Sequence, residues 1–526
     1  DIDSMQKSYL WSAGLRMVVF SFLMLVVSVM AAYLASGVAA GIGRDLRSKI
    51  YKNVISFSNA EMDKFSTASL ITRSTNDVQQ IQQVSVMLLR MALFAPIMGL
   101  GGVYKVTQTG AKMGWVIAVA LVVIFLIIAL LVVVAMPKFK KMQVLVDDMN
   151  LVSREILTGL SVIRAFGREE EEEKRFDEAN QKLRKNQLFT NRVMTFMFPT
   201  MILIMDVLVI GITWVSANRI DMGTLRVGAM TAFISYSIQI VMSFVMLTVM
   251  SIILPRASVA ADRIDEVIRS KSSILNPKEP KSLPLNGEAG AANGVIEFEH
   301  VSFRFPGAEN NVIEDISFTL RPGTVTAMIG STGAGKSTIV NLIPRFYDVT
   351  EGSIKLNGVD LRELDLKELR NQIGLVPQKG TLFSGTIASN LRFGNNEADD
   401  VQLKEAAEIA QALDFIEEKA DGFDSSISQG GSNVSGGQKQ RLAIARAIAK
   451  DPSVYVFDDS FSALDMKTDA KLRKALSEKT KDASVLIVAQ RISTIINADN
   501  ILVLDEGRIV SSGKHEELLE KDGYYT

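Results

Sequence analysis

The sequence predicts an α-helical membrane bundle followed by an α/β domain built on a largely parallel sheet. Three observations predict it. Long runs without charge fill the first half of the chain. Apolar strands alternate with helical stretches in the second half. Between one such strand and helix stands Gly330–Thr338, GSTGAGKST.

The chain has 526 residues, more than one ordinary domain needs. Its net charge of −1 gives no field that would draw nucleic acid. It has no cysteine, which excludes disulfides, thiolate metal sites and a cysteine nucleophile. The only histidines, His300 and His515, stand too far apart in sequence to suggest a histidine metal centre.

A helix crossing the hydrocarbon core needs about 20 apolar residues. Met17–Gly43, Met113–Met136 and Val227–Pro255 qualify without a charge. Val84–Tyr104 qualifies with one charge, Arg90, and Val193–Asn218 with one, Asp206. A soluble bundle of such helices would lack amphipathic ones to cover it, so the membrane reading is preferred. Basic residues set the orientation. Arg44, Arg47, Lys49, Lys52, Lys64 and Arg73 lie between the first two spans, and a longer series from Lys138 to Arg192 lies between the third and fourth. The alternate loops hold only Lys105 with Lys112, and Arg219 with Arg226. The long basic segments are expected in the cytosol, which puts Asp1 outside. No signal-peptide pattern accounts for that, so a preceding span beyond this chain is expected.

Both cytosolic segments are poor in Gly and Pro and rich in helix formers, so they are expected to prolong the spans as helices. Glu169–Glu173, followed by Lys174 and Arg175, reads as a solvated helix face. Asp206 reads either as a cation or substrate contact in a transport path or as a charge tolerated beside water. The expected division is a membrane part over 1–269, a linker over 270–294, and a nucleotide-binding part over 295–526. The linker is marked by three prolines and several small residues. Strands are expected at Val295–Phe298, Thr324–Ile329, Ile373–Val376, Val454–Phe457, Val485–Val488 and Ile501–Leu504, alternating with helices.

GSTGAGKST has the strand–loop–helix context of a phosphate-binding loop. The stretch comprises Gly330, Ser331, Thr332, Gly333, Ala334, Gly335, Lys336, Ser337 and Thr338. Backbone N–H groups of Gly333–Ser337 are expected around the phosphates, Lys336 on the β- and γ-phosphates, and the Ser337 hydroxyl on Mg²⁺. Asp458, at the tip of the strand Val454–Phe457, is placed to hold Mg²⁺ through its water shell. Phe305 reads equally as an adenine-stacking ring and as core packing.

Val434–Gln438, VSGGQ, opens onto a helix rich in Ala, Leu and Arg, and lies between the phosphate loop and the Asp458 strand. With these motifs the sequence resembles the ATP-binding cassette superfamily over essentially its whole length. VPQ at Val376–Gln378 is similar to the glutamine loop, which implies that Gln378 contacts nucleotide and Mg²⁺. TLFSGTIASNL at Thr381–Leu391 and SALD at Ser462–Asp465 resemble the segment after that loop and the D-loop. Phe305 corresponds to the adenine-stacking aromatic, usually Tyr. DKFSTASLITRSTND and EILTGLSVIRAFGRE resemble the two intracellular loops of type IV exporters. The resemblance implies six spans per half and an α/β P-loop ATP-binding cassette domain. It also implies a head-to-tail dimer in which Ser435, Gly436, Gly437 and Gln438 close over the partner's ATP.

Two positions depart from the pattern. After Asp458 the family carries a glutamate that readies the attacking water; this chain has Asp459, one methylene shorter. The switch histidine is replaced by Gln490, which donates a hydrogen bond but exchanges no proton near neutral pH. Together these resemble the degenerate subunit of heterodimeric multidrug exporters. The expectation is tight ATP binding with poor hydrolysis here, hydrolysis mainly at the site that a non-identical partner's Walker motifs form with this chain's signature, and export of amphipathic small molecules across a bacterial plasma membrane. A slow homodimer, a lipid flippase, a peptide exporter and an ATP-gated channel or regulator stand as alternatives. Spans rich in Met, Phe and Val suit greasy ligands and membrane lipid alike.

Overall fold

The computed structural model describes residues 2–108, 113–284, 293–521 and 523–526. The expected loop residue Lys112 and residues 285–292 of the expected linker lie outside the described residues. The chain divides into two compact units, one of residues 1–49 and 72–266, the other of residues 50–71 and 267–526.

The first unit is helical. It contains most of α1 (Ile2–Ser56), a π-helical turn at Arg73–Asp77, α4 (Val78–Met91) and α5 (Phe94–Gln108). It continues through α6 (Gly114–Thr158), α7 (Leu160–Ala165), α8 (Glu169–Asp221) and most of α9 (Val227–Arg269). The 55 residues of α1 reach about 80 Å at 1.5 Å per residue, far beyond a hydrocarbon core of about 30 Å. Among the described residues, four helical stretches are long and apolar enough to cross a membrane: Gln6–Ser56, Thr67–Gln108, Pro199–Asp221 and Val227–Leu247. Gly114–Ile127 of α6 is a further apolar helical stretch among the described residues. Phe20, Phe22 and Leu25 of α1 are exposed, a surface that suits lipid and not water.

Ile117 and Ile124 of α6, Leu208 and Ile212 of α8, and Phe233 and Ile240 of α9 form the buried core of this unit. α5 approaches α9 through Gly102, where an added Cβ would lie 2.7 Å from Ile240 Cγ1. Small residues give membrane helices this close approach. The acidic run opens α8: Glu170 pairs with Lys174 at 2.9 Å, and Glu155 of α6 with Arg175 at 2.6 Å.

In the second unit, α2 (Asn59–Lys64) begins at a capping box between Ser58 and Glu61, and α3 (Thr67–Thr72) follows it. A four-stranded antiparallel sheet has the order β2-β1-β4-β5, with β1 at Ile296–Phe303, β2 at Ile313–Leu320, β4 at Glu351–Leu356 and β5 at Val359–Asp360. A six-stranded sheet has the order β12-β11-β3-β10-β9-β6. Its strands are β3 (Val325–Gly330), β6 (Ile373–Val376), β9 (Val454–Asp458), β10 (Ser484–Val488), β11 (Asn500–Asp505) and β12 (Arg508–Gly513). All pairs in it are parallel except β11 with β12. The sheet arrangement is therefore mixed. The strand expected at Val295–Phe298 lies in the antiparallel sheet, where Phe298 pairs with Phe318 and Ile354.

Strands β9 and β10 are buried along their whole length. Their side chains alternate between two cores. Tyr455, Phe457, Val485 and Ile487 face one, with α15 (Gly436–Lys450); Val454, Val456, Leu486 and Val488 face the other, with α10 (Lys336–Leu342). This is the continuous apolar run of a sheet covered on both faces. The remaining helices are α11 (Leu366–Asn371), α12 (Ile387–Arg392), α13 (Asp400–Ile409), α14 (Leu413–Glu417), α16 (Met466–Lys479), α17 (Ile492–Ile495) and α18 (His515–Glu520), with a short ribbon of β7 (Gly385–Thr386) and β8 (Ser426–Ile427).

Candidate nucleotide site

The phosphate-loop sequence sits between the end of β3 and the start of α10. Gly333 and Gly335 have φ of +89° and +93°. A Cβ on Gly335 would lie 2.4 Å from Ile313 Cδ1, so any other residue there meets both a strained backbone and a side chain that has to shift. Lys336 folds back over the loop, its Nζ donating to the carbonyls of Gly330 at 2.8 Å and Ser331 at 2.7 Å. Burial pushes the Lys336 ammonium below its ordinary value, against the opposing pull of Asp458 and Asp459.

Parallel pairing of β3, β10 and β9 brings the ends of these strands together, which places Asp458 and Asp459 beside the loop. The Ser337 hydroxyl donates to Asp458 Oδ1 at 3.4 Å. Burial raises the Asp458 carboxyl above its usual range, Asp459 adds to this, and Ser337 and Lys336 oppose it. Asp459 has a φ of +46°, a region where Asp is better tolerated than most residues. Its backbone N–H donates to Val488 O at 2.9 Å. Its Oδ2 accepts two side-chain amides, Gln378 Nε2 at 3.3 Å and Gln490 Nε2 at 3.1 Å.

These groups line one cavity of about 370 Å³, formed by Thr332, Gly333, Gly335, Lys336, Ser337, Thr338, Gln378, Asp458, Asp459 and Gln490 together with Val312 and Val488. The two valines carried no signal in sequence. Gly330, Ser331 and Ala334 are not among the lining residues. Neither are Ser435, Gly436, Gly437 and Gln438, which start α15; there Ser435 and Gln438 form a capping box. Phe305 also lies off the cavity wall. It meets Phe303 and Tyr347 edge-on, with ring centroids 4.9 and 5.4 Å apart. Tyr347 in turn donates its hydroxyl to Asp63 of α2 at 2.9 Å. Sequence reasoning missed this pair, since nothing local links positions so far apart. A second cavity of about 300 Å³, bounded by α16 and α17, shares no lining residue with the first.

The donor set suits a hard cation. Ser337, Gln378 and Asp458 offer only oxygen ligands, and two carboxylates face one ammonium. The φ > 0 glycines leave a cradle that a Cβ would fill.

Family comparison agrees with this geometry. Residues 5–244 match the ABC transporter transmembrane region, and residues 313–462 match the ABC transporter family. An uncharacterized ABC transporter ATP-binding protein of Mycobacterium tuberculosis is 42% identical over 500 residues, 94% of this chain and 85% of that protein. The chain belongs to the ABC transporter family. Its relatives include the ATP-dependent lipid A-core flippase of Pseudomonas aeruginosa, 33% identical over 507 residues, 95% of this chain and 81% of the flippase. A solved bacterial Atm1-family ABC exporter with ATP bound superposes with a TM-score of 0.77 at 25% identity, covering 97% of this chain and 86% of that one. This ABC chain is thus an exporter half-transporter: a multi-pass membrane protein whose ATPase domain is coupled to transport.

Proposed function

We propose that this ABC half-transporter pairs with a non-identical partner and exports amphipathic small molecules, while its own Walker residues hold ATP and hydrolyse it slowly. The supporting observation is the state of Asp459. Its carboxylate is one methylene short of a glutamate, and one of its oxygens is already engaged by Gln378 and Gln490. To ready a water, that oxygen has to give up an amide and reach farther. A misplacement of about 1 Å costs around a hundredfold in rate. Gln490 orients the carboxylate but carries no proton to exchange.

In this reading Lys336 and the loop amides bind the phosphates. Ser337, Asp458 and Gln378 would hold Mg²⁺, which would supply positive charge against the developing negative charge of the transferred phosphate. Phe305 flanks the adenine. Ser435 to Gln438 serve the partner's nucleotide, where most hydrolysis takes place. Residues 1–269, apart from the 50–71 segment that folds with the ATP-binding unit, form the membrane part, and 295–526 the nucleotide-binding part, joined through 270–294. The basic loops favour a cytosolic nucleotide-binding part, in a bacterial cell with the helices in its plasma membrane.

Purification of the chain from its native membrane with whatever subunit accompanies it, followed by single-turnover ATP hydrolysis, tests this. A distinct partner and one slow site are expected. Two identical copies that both turn over ATP briskly defeat the proposal. A second reading, a lipid flippase built from two copies, is favoured by the lipid A-core flippase relatives. ATP-dependent movement of fluorescent phospholipid by a homodimer would establish it.

A further inference from the structure

The membrane part of α8 has two unlike faces. One carries Leu208 and Ile212, buried against Ile117 and Ile124 of α6 and Phe233 of α9. The other carries Leu203, Asp206, Ile210 and Trp214, all exposed. At about 100° per residue these four fall within an arc of about 80°, with Asp206 at one edge and Leu203 and Ile210 roughly one turn to either side of it. Asp206 stands 13 residues after Val193 and 12 before Asn218, near the middle of that apolar run and about 18 Å from its nearer end. Among the described residues nothing pairs with it.

A carboxylate at that depth is costly against hydrocarbon, and intramembrane charges almost always face a bundle interior or a wet cavity. This arc is left bare by α5, α6 and α9. Bare to lipid, it would hold an uncompensated charge. Turned to the transport path, the charge has water around it between transport events and a counter-ion during them. The neighbouring surface is apolar and aromatic, so the complementary ligand is a cation carried on an apolar body. Trp214, two turns on, adds an aromatic face that favours positive charge.

We infer that the arc of α8 bearing Asp206 lines the transport path and binds lipophilic organic cations, with Asp206 as the counter-charge. This rests on the export reading and narrows its substrate class. Leu203 and Ile210 supply apolar contact, and a neutral or anionic amphipath gains nothing from Asp206.

The test uses the complete transporter, with its partner subunit, in proteoliposomes. ATP-dependent uptake is measured for tetraphenylphosphonium, its anionic isostere tetraphenylborate, and neutral calcein acetoxymethyl ester. The expected result in Asp206→Asn is a fall of about tenfold in the ratio of tetraphenylphosphonium to calcein ester uptake, the scale of one lost charge contact. Asp206→Glu restores most of the ratio, and Asp206→Lys shifts preference toward tetraphenylborate. An unchanged ratio in Asp206→Asn overturns the inference, as does equal loss of both probes with no rescue by Glu. If the unaltered transporter moves the neutral ester but not tetraphenylphosphonium, the inference falls and export stands. If it moves none of the probes with ATP, both fall.

Discussion

The side-chain amide of Gln490 donates to Oδ2 of Asp459 at 3.1 Å, across 31 residues of sequence. Both stand where the resemblance leads one to expect a glutamate and a histidine, and they meet at the same oxygen that Gln378 also reaches. The two substitutions act on one atom, so their effects on hydrolysis should not be independent.

Asp459→Glu with Gln490→His should therefore raise hydrolysis at this site by about a hundredfold, the usual scale of positioned acid–base groups. Either change alone should give less than its share. Asp459→Glu also places a longer residue at φ +46°, where Asp is the better-tolerated type. Single-turnover rates, with the partner's hydrolytic site disabled, measure the coupling. Simple additivity would count against a shared atom.

Gly335→Ala should weaken ATP binding at least tenfold. The new Cβ meets Ile313 Cδ1 at 2.4 Å, and φ of +93° is unfavourable for any L side chain. Shortening the neighbour with Ile313→Val removes the collision but not the backbone cost, so the double variant should recover only part of the affinity. Fluorescent-nucleotide titration measures both.

Without nucleotide and metal, Asp458→Asn should be more stable than the parent at neutral pH. Burial holds the Asp458 carboxyl above its unfolded value of 3.8. A raised carboxyl favours the folded state while protonated and loses that contribution as pH rises through the folded value. The difference in thermal midpoint should thus grow as pH rises above 3.8 and level off once the folded carboxyl has ionised. Added Mg²⁺ and ATP should shrink or reverse it.

Tyr347→Phe should cost about 1 kcal/mol, one hydrogen bond, read as a drop of a few degrees in the unfolding of the ATP-binding unit. Burial and the Asp63 hydrogen bond push the Tyr347 hydroxyl up to about 12. Its contribution is therefore complete below the unfolded value of 10.0 and lost as pH rises toward 12. The parent-minus-variant difference should be flat across ordinary pH.

What the sequence made legible was local. The phosphate loop, the Asp458 strand tip and the long apolar runs each fit inside a window of a few residues to two dozen, where spacing alone carries the chemistry. Pairings between distant segments were not legible. The strand near Phe298 looked like part of the parallel sheet because its apolar pattern does not record its partners, Phe318 and Ile354. Phe305 was ambiguous for the same reason. Its edge-on contacts with Phe303 and Tyr347 depend on tertiary packing. The left-handed backbone at Asp459 leaves no trace in composition, since Asp occurs freely in ordinary conformations too.

Residues 50–71 fold with the ATP-binding unit although they precede its first strand by more than two hundred positions. Asn53 Nδ2 donates to the carbonyls of Val267 and Ser270, both at 2.7 Å, and Asp63 takes the Tyr347 hydroxyl. A chimera spliced at the apparent seam near residue 270 would hand the ATPase a stranger's helical corner. Transplanting this motor onto another permease would succeed only if an acid at position 63 and an amide at position 53 travelled with it, so the inheritable module is discontinuous in the gene.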